Sequence, residues 1–228
     1  MEDKKIKIKD KNMEDSEKLS RDKQNKYIKY FVLIMAIILL IIVAFAFKPK
    51  EAKFEYLGME FERVMFDKIP LYQTVVQPIN RITGEASGIN YVIYLRNDPR
   101  KLEFVPIIGR IKLTRDVIVA LDKSITEANC VNATLAALNM GQFMNAAGIK
   151  ALRGTTNLTE AEEDNLRYAS CESSDNISVI ITEIGNKTEV VQEDVNCYKI
   201  KVNNCQVIEA TERFLVGALA HSRGNFIG

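Results

Sequence analysis

Apolar and polar positions change rhythm several times along this chain, and each rhythm predicts a different element. Tyr30–Phe47, YFVLIMAIILLIIVAFAF, is apolar without interruption. At about 1.5 Å per residue a helix of that length reaches roughly 27 Å, close to the hydrocarbon thickness of a bilayer. Buried amphipathic helices of soluble proteins show a polar face and this run has none, so it predicts a transmembrane helix over 30–47. Residues 1–29 mix both signs of charge with few apolar side chains. They cannot bury enough surface to fold alone, which predicts a disordered cytoplasmic tail. Pro49 ends the apolar run, and residues 48–53 read as a linker.

From Phe54 onward the pattern is strand-like. FEY, MEFERVMF, LYQTVVQ, INYVIYL and GRIKLT are short β-branched or aromatic runs. Turn residues separate them at Leu57-Gly58, Lys68-Ile69-Pro70, Gly84–Gly88 and Asn97-Asp98-Pro99. Asn97-Asp98-Pro99-Arg100 reads as a turn, with a recognition loop as the alternative. Residues 54–115 thus form a β-rich part. DVIVALD (Asp116–Asp122) is nearly all apolar, as expected of a strand covered on both faces. Ala133, Ala136, Met140, Phe143 and Ala147 then recur at helical spacing, with Gly148 as a C-terminal cap. IKALRGTT is the next strand, completing a βαβ unit of right-handed sense.

A polar loop is expected over 154–176. ISVIITEI and KTEVVQED, joined at Gly185-Asn186, predict a hairpin, and CYKIKV another strand. In the final helix Val207, Ile208, Thr211, Phe214, Leu215, Ala218 and Leu219 share an apolar face. Glu209 and Arg213 make an i,i+4 pair on the opposite one. Residues 116–222 are the α/β part, and 223–228 a loose C-terminus. The predicted fold class is α+β and α/β mixed: a single N-terminal transmembrane helix, then an extracytoplasmic domain with a mixed β-sheet and two main packed helices.

Charge sets the orientation and excludes one class of partner. Lys18, Arg21, Lys23, Lys26 and Lys29 precede the apolar run, against Lys48, Lys50 and Lys53 after it. That bias places the N-terminus in the cytoplasm and the C-terminal domain outside the cell membrane. Residues 48–228 hold 21 Lys+Arg and 23 Asp+Glu with no basic stripe. Nucleic-acid binding needs concentrated positive charge, so it is not expected. Ala44-Phe45-Ala46 fits a signal-peptidase pattern. The long leader and long apolar run argue for retention instead.

All four cysteines, Cys130, Cys171, Cys197 and Cys205, follow the apolar run, and their spacings of 41, 26 and 8 do not suit a metal site. No metal and no cofactor is expected. An even count outside the membrane suggests disulfides. Cys197 and Cys205 lie at opposite ends of an extended strand, too far apart to bond. Cys130 and Cys205 each follow a strand and precede a helix, at one sheet edge if those strands are parallel. The hairpin at Asn186 brings Cys171 near Cys197. The expected pairs are therefore Cys130–Cys205 and Cys171–Cys197. Glycosylation sequons begin at Asn132, Asn157, Asn176 and Asn186, all on the same side.

No nucleophile elbow, phosphate loop, dinucleotide fingerprint or HExxH motif is present. His221, the single histidine, reads as a solvated residue at a helix end. One constellation carries possible chemistry. Ligands of open α/β sheets bind beyond the carboxyl ends of parallel strands. Asp122, Thr155 and Thr156 follow two such strands and could converge; the alternative is that they only terminate strands and form a turn.

The strings YLRNDPRKL, LNMGQFMNAAGI and EATERFLVGALAHS resemble uncharacterised single-pass membrane proteins of archaea. The resemblance covers roughly residues 30–222 and implies no activity. It implies that the four cysteines recur in such proteins.

The expected function is a membrane-anchored, extracytoplasmic binding or assembly module. Its partner is an envelope component, a second membrane protein or a second copy. The alternatives are an external hydrolase using Asp122 with the threonines, or an ancillary subunit of a secretion or surface-filament complex. N-terminal sequencing of membrane-purified protein checks retention: the expected chain keeps its leader, and a mature chain starting at Phe47 contradicts the anchor.

Overall fold

The structure, a computed structural model, describes residues 29–42, 53–78, 88–173 and 176–222. The chain divides into two compact units, Met1–Lys50 and Glu51–Gly228. In the first, residues 29–42 form a helix, α1, with exposed side chains. Residues 43–47 of the expected span, the tail before residue 29, the linker 48–52 and the terminus after 222 lie outside the described residues. Among the described residues no helix is long and apolar enough to cross a membrane.

Among the described residues the second unit is mixed α/β, built on two sheets where one was expected. The first is an antiparallel meander of β1 (Lys53–Tyr56), β2 (Met59–Phe66), β3 (Ile69–Val76) and β4 (Tyr91–Leu95). Leu57 and Gly58, with φ of 52° and 70°, make the two-residue turn between β1 and β2. Positive φ at both central residues matches the twist of paired strands. Pairing of Phe61 with Thr74 and of Thr74 with Ile93 fixes the register. Met59, Phe61, Val76 and Leu95 are thereby buried on the inner face.

A 3₁₀ turn (Pro99–Phe104) leads to β5 (Ile107–Ile108) and β6 (Asp116–Leu121). Helices α2 (Lys123–Glu127) and α3 (Ala133–Ala146), then β7 (Lys150–Thr155), complete the expected βαβ unit, with β6 parallel to β7. The expected polar loop holds more structure than its composition suggested: α4 (Leu158–Glu163), capped by the Asn157 side chain, and β8 (Arg167–Tyr168). β9 (Ser178–Ile184), β10 (Glu189–Asp194), β11 (Cys197–Val202) and α5 (Val207–Ser222) follow.

The second sheet runs β5-β10-β11-β9-β6-β7-β8. The predicted hairpin of β9 with β10 does not form, because β11 lies between them, parallel to β9 and antiparallel to β10. The tight turn is the Val195-Asn196 pair joining β10 to β11, where Asp194 faces Cys197. The physical reason is the apolar run in β9. Ser178 to Ile181 are buried without a break, so β9 is a central strand with a parallel neighbour on each side.

The run GRIKLT is also not a strand. Residues 110–114 join no neighbouring ladder and meet side chains instead. Arg110 N–H donates to Gln192 Oε1 (2.8 Å), Ile111 N–H to His221 Nδ1 (3.0 Å) and Thr114 N–H to Ser178 Oγ (2.8 Å). The Tyr198 hydroxyl accepts from Lys112 N–H (2.9 Å) and donates to Lys112 C=O (2.8 Å). Buried backbone groups need partners, and here side chains supply them.

One core takes in residues of both sheets, α3 and α5. A smaller one, with Ile118, Ala120, Val179 and Ile181, lies on the other face of the second sheet. Cys171 bonds to Cys197 beside it, and Cys130 bonds to Cys205, just before α5.

Helix α5 is buried almost all round, so Arg213 does not lie on a solvent face. Its Nε donates to Val105 C=O (3.1 Å), and its Nη1 to the Tyr56 hydroxyl (3.1 Å), which in turn donates to Glu103 (3.0 Å). The neighbouring Glu212, 2% exposed, accepts from Arg96 N–H, Asn97 N–H (3.0 Å) and Asn97 Nδ2 (2.9 Å). The Asn97–Arg100 turn is thereby a structural clamp. Asp98 caps the 3₁₀ turn and pairs with Arg100, whose guanidinium lies 3.8 Å from the centre of the Phe54 ring. Gly217 lets α5 come close: a Cβ there would sit 2.5 Å from Ile107 Cδ1.

Glu212→Ala strands three donors and is expected to lower the unfolding free energy by about 2–4 kcal/mol. Burial raises the Glu212 pKa against the hydrogen bonds that lower it. The folded state therefore holds that proton more tightly than the unfolded chain does. The resulting stability is full below the unfolded value of about 4.3 and is lost as pH rises through the raised folded value. Glu212→Gln lacks this titration. Denaturant melts of the two proteins should show wild type gaining on Glu212→Gln as pH falls from about 7 to about 4; a constant difference contradicts the assignment.

Candidate binding site

The carboxyl edge of β6 and β7 holds the three residues picked from the sequence, and it joins only two of them. Asp122 follows β6 and caps α2, accepting from Ser124 N–H (2.9 Å) through Oδ1 and from the Thr156 hydroxyl (2.6 Å) through Oδ2. Thr155 is buried and turns away, donating to Glu160 Oε2 (2.6 Å). Burial pushes the Asp122 carboxyl up, but bonds from Ser124 and Thr156 outweigh it and leave the pKa below the usual value. Such a group is a stable anion and a weak base. Both of its oxygens are engaged in holding a helix start and a loop. Among the described residues no group of three or more His, Cys, Asp or Glu is placed to hold a metal.

A cleft of about 550 Å³ opens elsewhere, in the size range of small-molecule sites. Four elements form it: the end of β3 at Val76–Pro78, the side-chain-held ribbon at Arg110–Leu113, the end of α3 with Ile149 after it, and the last turn of α5. Val76, Phe143, Ile149 and Leu219 give it apolar walls, and Arg110, Lys112 and His221 add nitrogen-bearing side chains. His221 is not the solvated helix end expected. Its Nδ1 accepts from Ile111 N–H, so in the neutral ring the proton sits on Nε2. The ribbon's role was hidden because its anchors, Gln192, Tyr198 and His221, are distant in sequence. Tyr198 inside an apolar strand was the available signal, since a buried phenol seeks a partner.

The outer face of the first sheet is a second feature. Cross-strand pairs Val64 with Leu71, Phe66 with Ile69, and Val75 with Val92 line it, beside Tyr94. Phe66 is 72% exposed, and Ile69, Val75, Val92 and Tyr94 are also exposed. At its other end Lys53 pairs with Glu60 and Glu62.

Asn132, Asn157, Asn176 and Asn186 are all exposed. The two disulfides fit an oxidising extracytoplasmic compartment. No protein-family model, curated protein or solved structure matches the chain.

Asp122→Ala is expected to cost about 1 kcal/mol as a lost helix cap, and Asp122→Asn much less, since Asn caps well. A lowered folded pKa gives stability that is present above the unfolded value of about 3.9 and is lost as pH falls through the folded one. Urea melts against pH should show the wild-type advantage over Asp122→Asn shrinking in acid. Hydrolytic turnover abolished by Asp122→Ala would instead assign this carboxylate a catalytic role.

Proposed function

We propose that the chain is a single-pass membrane protein with a cytoplasmic N-terminus, anchored by Tyr30–Phe47, whose outward unit is a protein-binding module. The observation that carries this reading is the exposed apolar face of β2, β3 and β4. A soluble sheet facing water on one side ordinarily alternates apolar with polar side chains. Here Phe66 and Ile69 at one end, and Val75, Val92 and Tyr94 towards the other, are exposed on one face, with the Gln73–Glu62 hydrogen bond between the two groups. Exposed apolar surface of this kind marks interaction sites. The rim of Lys53, Glu60 and Glu62 suits a docking patch, with an apolar centre and a polar border. The occupant is the surface of an envelope or membrane protein. The anchor keeps the module beside such partners, and the disulfides suit its outer compartment.

The engaged oxygens of Asp122 and the divergence of Thr155 leave little to favour a hydrolase. Crosslinking in native membranes tests the reading. Wild type should give a discrete adduct that Val75→Lys with Val92→Lys loses, at unchanged melting temperature. An adduct equal to twice the chain mass would identify the partner as a second copy; an adduct that survives the double variant removes this face from the interface.

A further inference from the structure

We propose that the carboxyl edge of the second sheet is a glycan-bearing edge, with N-linked sugar on Asn132, Asn157 and Asn186 closing it to protein partners. The proposal rests on the outward placement of this unit and goes beyond it.

Topology gathers these three sequons at one place. β6, β7, β9 and β11 run parallel, so their carboxyl ends share an edge. Asn157 lies two residues beyond Thr155, the end of β7, and Asn186 two beyond Ile184, the end of β9. Asn203, which follows β11, donates from Nδ2 to Asn186 C=O (3.0 Å) and joins those strand ends. Asn132 lies two residues beyond Cys130, whose disulfide partner Cys205 is three beyond Val202, the end of β11. Asn176 differs, since it precedes β9 at the opposite edge, about 20 Å away along that strand. Residues 53–115, which include the whole first sheet, contain no Asn-x-Ser/Thr sequence.

The side-chain chemistry agrees. Nδ2 bonds to the anomeric carbon of an oligosaccharide carried on a polyprenyl phosphate lipid. The bond from that carbon to the phosphate oxygen breaks, the lipid phosphate leaves, and Nδ2 yields one proton to a base of the membrane transferase. An amide nitrogen already committed to a hydrogen bond is poorly placed for this, as in Asn97, which donates to Glu212, and in Asn203. Asn157 instead uses only Oδ1, accepting from Thr159 N–H (2.9 Å) and Glu160 N–H (3.4 Å), so its α4 cap survives the modification. Asn132 makes no side-chain cap bond to α3, and Asn186 is engaged through its backbone carbonyl. All three are exposed.

The residue two places on is a threonine in all three, and a serine only after Asn176. A β-branched side chain is stiff at χ1 and presents its hydroxyl with less freedom to lose. Thr134 and Thr159 stay exposed after folding. Thr188 is buried and donates to Gln206 Oε1 (2.6 Å), so Asn186 takes its sugar before β10 docks. Hydrated sugar over this edge covers Asp122 and Thr156 and leaves the first sheet as the bare face.

Mass spectrometry of peptides from the full chain, purified from its native membrane, tests this. Peptides with Asn132, Asn157 and Asn186 should carry an oligosaccharide in most copies, and the peptide with Asn176 in few. Thr134→Ala and Thr159→Ala keep the asparagine, and each should delete the sugar at its own site alone; Thr→Ser at the same positions should restore it. A membrane-impermeant amine reagent on intact cells reports orientation separately, through Lys53 and Lys68 of the first unit of sheet, which are exposed. Bare asparagines with these lysines labelled overturn the proposal and leave the outward placement standing. Bare asparagines with both lysines protected overturn both. Sugar on Asn176 as often as on the other three, or sugar retained by Thr134→Ala, overturns the assignment to this edge.

Discussion

Two charged residues side by side on a buried helix hold this molecule together. Glu212 and Arg213 of α5 are 2% and 5% exposed, and a buried charge is costly unless it is hydrogen-bonded. The requirement is met by reaching in two directions. Glu212 gathers the N–H groups of the loop after β4, and Arg213 grips Val105 and Tyr56. Every one of these partners belongs to the first sheet or to the segment leaving it. The helix itself packs on the second sheet, with Phe214 edge-on to Tyr198 at 5.9 Å. Two sheets with no strand in common thus share one core. The cleft exists because the end of β3 is held at a fixed place beside α3 and α5.

The second sheet meets a different constraint. Its central strands β6 and β9 are apolar on both faces and need cover on both. Helices α3 and α5 supply it on one side. The crossover from β8 to β9 supplies it on the other, where Ala169 and Ile177 pack beside the Cys171–Cys197 bond. The Cys130–Cys205 bond links the segment before α3 to the turn before α5. Each bond thus ties a connection to a distant element: Cys171, between β8 and β9, to the first residue of β11, and Cys130, before α3, to the turn before α5.

Local periodicity carried the sequence reading far. The strands of the meander, the βαβ unit, α3 with its Gly148 cap and the length of α5 could all be read because each depends on neighbours in sequence. Strand order and backbone contacts that depend on distant residues could not. ISVIITEI and KTEVVQED look like a hairpin because adjacent strands usually pair, yet β11 separates them. GRIKLT has the composition of a strand, but whether its N–H groups meet a ladder or side chains is decided at positions 178, 192, 198 and 221. Arg213 looked solvent-facing because charge usually marks a surface; the loop carbonyl that accepts its hydrogen bond lies 108 residues away. Asp122 was legible as an edge residue, and its partner Thr156 as a neighbour. The cleft was not legible at all, because its four elements meet only through the core.

Amide hydrogen exchange on the full chain tests whether α5 fastens the two sheets into one cooperative body. The slowest amides of β2 and β3 and those of β9 and β11 should exchange through one opening, with equal free energies and equal denaturant dependence. Glu212→Ala should lower both sets by the same amount. Exchange of β2 and β3 through a smaller opening that leaves β9 and β11 protected would contradict it.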